Sequence, residues 1–279
     1  MADTGDLFPL NADTMPALRG SWFIGTSGFQ FDDWRGTVYP AHLSGRGLLA
    51  HYLNVFAFNA LELNFTFYRM PGPRSLASFV QRTPPQYQLA VKAHKDISHS
   101  GPGADIGAAA AALDAALEPV RDAGKLAALV VQFPFSFRNT AEHRSRIERI
   151  RSMFPNDPLV VEFRHESWSG PETDALIARL GCAQCCVDEP QLKGLMPFRA
   201  VATSPLFYAR FHGRNAAWFT AGEKQRYNYD YSDAELHSLV DRIRPLAGSA
   251  RKLLIFFNNC YMGRAVKNAL RFRELAVMA

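Results

Sequence analysis

Short apolar runs recur along the chain at 22–27, 60–65, 88–93, 126–133, 158–164, 183–188, 206–212 and 252–258, and nearly every one closes in polar or charged residues. Side chains of a strand alternate between two faces, so residues two apart point the same way. That rule aligns Glu62 with Asn64 and Thr66, Lys92 with His94, Glu162 with Arg164, and Tyr208 with Arg210 and His212. Gln132 closes the fourth run and Asp188 the sixth. Eight strands separated by helix-length segments, with their chemistry gathered at the C-terminal ends, predict an α/β fold. It is a single (β/α)8 barrel of TIM type, with parallel strands and one polar mouth.

The intervening segments read as helices. Residues 107–117 are rich in Ala, the strongest helix former, with Leu113 and Leu117 at i, i+4 spacing. Segment 140–153 places Ile147 and Ile150 on one face and Arg144, Arg146, Arg149 and Arg151 on the others, as expected of a solvated outer face. Segment 173–180 is short but adequate for a helix, and 232–243 opens on Ser232 with Glu235 three residues later, the spacing of a capping box. Strand and helix are expected to alternate from end to end. A doubly wound open sheet would carry a Gly-rich phosphate turn leading into a helix after its first strand. Here Gly25-Thr26-Ser27-Gly28 leads into no clear helix, which favours the barrel. Residues 1–20 read as an N-terminal arm and 21–279 as the barrel domain.

Length agrees: 279 residues suit one barrel, which needs about 250. A hydrophobic content of 48% supplies a large core. The net charge of +5 favours anionic partners. It falls short of the dense Lys/Arg stripes of a dedicated nucleic-acid binder, so nucleic acid is not the favoured partner. No run approaches the roughly 18 apolar residues of a membrane span. The first twenty residues lack a basic start and an apolar stretch, so no signal peptide is readable and a cytoplasmic location is expected. Cys182 and Cys185 form a CxxC, but Cys185 and Cys186 would point to opposite strand faces and cannot share an ion. Burial in the core is the preferred reading of these cysteines.

The motifs carry a family resemblance. Ile24-Gly25-Thr26-Ser27-Gly28, Asp33-Trp34-Arg35-Gly36 and Tyr39-Pro40 open the series. Glu62-Leu63-Asn64, Thr66-Phe67-Tyr68, Thr83-Pro84-Pro85, Val91-Lys92-Ala93 and Ile97-Ser98-His99 follow. Next come Gln132-Phe133-Pro134, Glu162-Phe163-Arg164-His165 with Trp168, and Asp188. Arg210-Phe211-His212-Gly213-Arg214, Phe257-Asn258-Asn259, Gly263-Arg264-Ala265 and Asn268-Ala269 complete it. In this order, over roughly residues 22–272, they resemble the YecE-like family, catalogued as a domain of unknown function. The resemblance implies a TIM-type barrel and no established reaction. The chain departs from the family pattern at Phe31, where Tyr is common, at Phe65, where a small hydroxyl residue is common, and at Ser98, where Thr is common. At Cys260 a His often follows the two asparagines, so schemes that need a histidine after the eighth strand are weakened.

Within the expected mouth, Glu62, Lys92, Glu162, Asp188 and His212 are the candidate catalytic residues. Carboxylates from the second and fifth strands suit acid and base or nucleophile and acid, as in glycoside hydrolysis. Each can equally pair with a neighbouring cation, as buried charges normally do. Lys92 stands alone in an apolar strand, where desolvation can make it a base or Schiff-base nucleophile, although contact with a substrate anion is the preferred role. His99 and His212 titrate near neutrality and are candidate proton carriers. Arg164, Arg210 and Arg214 offer guanidinium forks for carboxylate or phosphate, with salt bridges to Glu62, Glu162 and Asp188 as the alternative. Asn64, Tyr68, Asn258 and Asn259 supply neutral donors and acceptors. Trp34, Tyr39, Trp168 and Trp218 are either rim stacking surfaces or packing.

Glu62, Glu162, Asp188 and His212 together make a conceivable hard-cation set, unsupported by any HxH, HExxH or DxD pattern and opposed by the nearby arginines. Metal status stays open. The expected function is a hydrolase or isomerase using acid–base chemistry on a small anionic ligand, phosphorylated or sugar-like. No cofactor is expected, since no nicotinamide or flavin fingerprint appears. The alternatives are a metal-dependent hydrolase acting on nucleic acid and a non-catalytic anion-sensing protein.

Overall fold

Eight strands appear in the computed structural model, which describes residues 22–101 and 103–277, so the expected N-terminal arm lies outside the described residues. They are β1 (Trp22–Thr26), β2 (Ala60–Leu63), β3 (Gln88–Lys92), β4 (Leu126–Gln132), β5 (Leu159–Glu162), β6 (Ala183–Asp188), β7 (Leu206–Phe211) and β8 (Lys252–Phe257). The order β1-β8-β7-β6-β5-β4-β3-β2 is parallel at every pairing. Parallel strands covered on both faces read as continuous apolar runs, as in Leu126–Gln132 and Lys252–Phe257. The expected TIM-type barrel is the observed fold.

The ring closes at a seam between β1 and β2, where one parallel bridge pairs Ser27 with Glu62 and the Gly28 amide donates to the Glu62 carbonyl at 2.9 Å. Backbone groups left facing each other must find other partners, and side chains supply them. Asn59 accepts from the Ile24 amide and donates to the Trp22 carbonyl, both at 2.9 Å. The Tyr52 hydroxyl accepts from the Thr26 amide, and the Tyr87 hydroxyl donates to the Ala60 carbonyl. Gly25 lets the strands approach, for a Cβ there would stand 2.0 Å from the Ala60 carbonyl oxygen.

The helices are α1 (Arg46–Phe56), α2 (Phe65–Tyr68), α3 (Pro73–Arg82), α4 (Lys95–Ser98), α5 (Gly107–Asp122), α6 (Ala141–Met153), α7 (Pro171–Arg179), α8 (Glu223–Arg226), α9 (Asp233–Ile243) and α10 (Arg264–Val277). Ser232 and Glu235 form the expected capping box on α9. Thr140 caps α6, which buries Ile147 and Ile150. Its arginines are less uniformly solvated than expected: Arg151 bonds the carbonyls of Phe154, Pro155 and Asp157, and Arg146 bonds those of Ile97 and Gly101.

Two expectations about elements fail. The second apolar run extends to residue 65, yet β2 ends at Leu63: Asn64 is already αR, and the Thr66 hydroxyl turns back onto the Leu63 and Lys92 carbonyls. Asn64 and Thr66 therefore do not continue the strand face of Glu62. Alternation also lapses between β6 and β7, where 189–205 contains no helix. That segment is tied to the end of β5 by the His165↔Leu195 antiparallel bridge and by the Glu166 amide on the Gly194 carbonyl.

Candidate functional site

Strand parity decides which end-of-strand residues meet. On β7, Tyr208, Arg210 and His212 point inward, and the Arg210 guanidinium spans the barrel axis. Its Nη1 lies 2.7 Å from Glu162 Oε2 and its Nη2 2.8 Å from Glu62 Oε1, while the Tyr208 hydroxyl donates to Glu62 Oε2. Arg164 Nε approaches Glu162 Oε1 at 2.7 Å, and Arg164 Nη1 donates to Glu189 Oε2 at 3.1 Å. Glu62, Glu162, Glu189 and His212 have no exposed surface.

Each charge in this layer is set by its neighbours. Burial alone would raise the Glu162 carboxyl, but Arg210, Arg164 and His212 together hold it well below the usual carboxylate range. Glu189 goes the other way, since burial outweighs Arg164 and pushes it up to about 7. His212 accepts from the Asn258 amide at Nδ1 (2.9 Å) and turns Nε2 towards Glu162 Oε1 at 3.4 Å; burial first, then Arg164, keep its pKa well below normal. It is a neutral, enclosed imidazole. A buried ionic layer of this kind gives little net stability over well-packed apolar side chains, which points to a role other than holding the barrel together.

Above the layer opens a cavity of about 570 Å³. Lys92, Arg164, Arg210 and Arg226 are in its wall, and no carboxylate among the described residues is; Glu62, Glu162 and Glu189 stand behind Arg164 and Arg210. Lys92 Nζ donates to Gln132 Oε1 at 2.9 Å and lies 4.0 Å from the Phe67 ring centroid. Among the described residues no carboxylate comes within ion-pair range of Lys92 or Arg226. Burial, then the Arg210 charge, lower the Lys92 ammonium to about 7. His99, bonded to Ser98 through Nδ1, is lowered to about 4 by burial and Lys92. Phe67, Trp218, Phe219 and Tyr227 add flat apolar surface. Ser27 Oγ, Asn64 Oδ1 and Arg210 Nε, all in the wall, are buried with no hydrogen-bond partner among the described residues.

The expected site residues thus divide into three groups. Asn64, Tyr68, Lys92, His99, Arg164, Arg210 and Asn258 line the cavity. Glu62, Glu162 and His212 lie directly beneath it. Asp188, Arg214 and Asn259 are elsewhere. Asp188 shares the outward face of β6 with Cys186, which bonds the Val201 carbonyl, whereas Cys185 faces inward, 3.8 Å from Glu162 Oε2. Asp188 holds Arg214 through two oxygens and accepts from the Tyr231 hydroxyl, which itself accepts from the Gly213 amide. Asn259 donates to Asn268 and to the Tyr229 carbonyl.

These three residues fasten the segment between β7 and β8 that carries Trp218, Arg226 and Tyr227 to the cavity. Gly213, with φ of +88°, makes the turn, and a Cβ there would press on Tyr229. The hard-cation set does not assemble, because Asp188 faces away and both glutamates hold Arg210; among the described residues no group of three His, Cys, Asp or Glu is arranged to hold a metal. Trp34, Tyr39 and Trp168 are core packing, each donating to a backbone carbonyl, and only Trp218 of the four aromatic candidates reaches the cavity. The four cysteines are buried and unpaired, as expected.

Sequence reasoning missed Ser27, Arg226, Tyr227, Phe219 and Glu189. Ser27 ends the first run and was within reach of the parity rule. So was Glu189, one residue past β6 and an even number of residues on from the inward-facing Cys185, whereas Arg226, Tyr227 and Phe219 lie on a connection, where no strand period assigns a direction. Among the described residues no helix is long and apolar enough to cross a membrane.

Known proteins share this architecture. UPF0759 protein YunF of Bacillus subtilis (strain 168) is 28% identical over 269 residues, covering 91% of this chain and 94% of that protein. The crystal structure of TM1631, a DUF72 family protein from Thermotoga maritima MSB8, superposes with a TM-score of 0.84 at 38% identity, over 91% of this chain and 98% of that one. The DUF72 family protein EF0366 of Enterococcus faecalis V583 gives a TM-score of 0.79 at 26% identity, over 91% and 94% of the two chains. The family model "Protein of unknown function DUF72" matches residues 23–279. With that match covering the whole barrel, the chain belongs to the DUF72 family.

Proposed function

We propose that the protein, read from its motifs as a YecE-like member of that family, is an enzyme acting by acid–base chemistry on a small anionic substrate, phosphorylated or sugar-like. The observation that carries this reading is the wall itself: among the described residues, four cationic side chains face one cavity and no carboxylate does. Arg164 and Arg226 both lie near the Trp218 ring, at 5.9 and 5.6 Å from its centroid, so an anion held by these guanidinium groups would have a flat apolar surface close by. Sugars and other ring-bearing anions present that combination.

Acid–base work falls to Lys92 in this reading rather than to the two glutamates. A lysine near half-protonation at neutral pH can both give and take a proton, and its Nζ faces the cavity. Glu62 and Glu162 act by holding Arg210 in place. Hydrolysis and isomerisation both fit such a site. A second reading, an anion-binding protein without turnover, is favoured by the enclosure of both glutamates.

The test is a melting series with inorganic phosphate and sugar phosphates, followed by product analysis. A ligand at about 100 times its dissociation constant should stabilise by about 2.7 kcal/mol. Arg226→Gln should remove most of that shift, and Lys92→Met should abolish turnover and weaken binding. Unchanged ligand recovered from the native protein would favour the second reading. No shift with any anion would refute both.

A further inference from the structure

A second concavity of about 380 Å³ adjoins the cavity, and His99 and Pro134 belong to the walls of both. It runs between the segment after β3 and the outer face of α6. Its principal cation is Arg146, a half-buried guanidinium whose Nη atoms donate to the Ile97 and Gly101 carbonyls at 3.0 and 3.3 Å. Those contacts are neutral, and among the described residues no carboxylate pairs with Arg146. Arg146 Nε is buried without a hydrogen-bond partner among the described residues. Burial, then the neighbouring Arg149, lower its pKa from the ordinary value, the mark of a positive charge left uncompensated. Arg149 reaches Asp105 at only 3.4 Å between exposed groups, a pair of little strength. Glu142 is the groove's one carboxylate among the described residues, and it is exposed.

Resting on the anion-binding reading of the cavity, we propose that the substrate is elongated and carries two anionic groups. One sits against Lys92, Arg164 and Arg226; the other lies past His99 and Pro134, in the groove, against Arg146 and Arg149. A monoanion would fill the cavity alone and leave the groove's charge unanswered. Linking two anions makes the second contact intramolecular, so affinity rises when the spacer matches the span and not otherwise.

The experiment compares alkylphosphonates with α,ω-alkanebisphosphonates of increasing chain length by calorimetry on the full chain. At one range of lengths the bisphosphonate should bind about tenfold tighter or better than its monoanionic counterpart. Arg146→Gln should cancel that advantage and leave alkylphosphonate affinity unchanged. Because Arg146 also ties down residues 97 and 101, the exposed Arg149→Gln serves as the second variant and should reduce the advantage without touching the fold. Bisphosphonates no tighter at any length, or an advantage that survives both substitutions, would overturn the proposal. Failure of every alkylphosphonate to bind would instead overturn the reading of the cavity, and this inference with it.

Discussion

Lys92 shows how much a single residue conveys and where it stops. A lone lysine in an apolar strand announces a desolvated ammonium, and the structure supplies the rest: Gln132 in place of a carboxylate, Phe67 below, guanidinium charges nearby. Its pKa near 7 gives a pH dependence of known sign. An anion seated on Lys92 favours the charged form and raises the pKa, so binding takes up a proton. Affinity should be greatest below pH 7 and decline as the pH rises through that value. Sulfate is the suitable probe, since its own charge is constant over this range. Calorimetry in buffers of different ionisation enthalpy should detect proton uptake near pH 7.5, and Lys92→Arg should abolish it. A sulfate affinity flat from pH 6 to 9 in the native protein would exclude this role. Asp188 marks the limit of single-residue reading. Its chemistry suggests catalysis, but it shares the outward face of β6 with Cys186, and strand parity alone does not say which of the two faces is the outward one.

At the scale of elements, the eight strands were legible because each buried run is apolar and bounded by turn residues. The seam was not legible. Nothing in the pattern of Gly25 and Asn59 says that a side chain replaces part of a ladder, because the partner strand is chosen only when the ring closes. The helix-free connection between β6 and β7 was missed for a related reason: its length suits a helix, but pairing with the end of β5 is a tertiary choice. The seam yields a stability prediction. Gly25→Ala puts a methyl group into the Ala60 carbonyl and should cost several kcal/mol, as overpacking against backbone does. Asn59→Ala leaves the Ile24 amide and the Trp22 carbonyl unpaired and should cost about 2–4 kcal/mol. Urea denaturation measures both. Near-neutral values would mean that β1 and β2 are held together by something other than these contacts.

For the whole molecule, the fold brings four cations among the described residues to one cavity and places carboxylates behind two of them, Arg164 and Arg210. Parity and strand order were enough to gather Lys92, Arg164 and Arg210 at one mouth. They did not reveal which glutamates would be covered, since that depends on Arg210 reaching across the barrel axis. Nor did they reveal Arg226 and Tyr227, which arrive on a long connection fastened by Asp188, Arg214 and Asn259. The central claim is that this wall holds an anion. The most direct measurement is the anomalous difference density of crystals grown or soaked with selenate, a heavier likeness of sulfate. The account predicts a peak within hydrogen-bond distance of Lys92 Nζ and of the Arg164 or Arg226 guanidinium, lost in Lys92→Met. Crystals with selenate only on the outer surface, or with manganese bound in the cavity in its place, would contradict it.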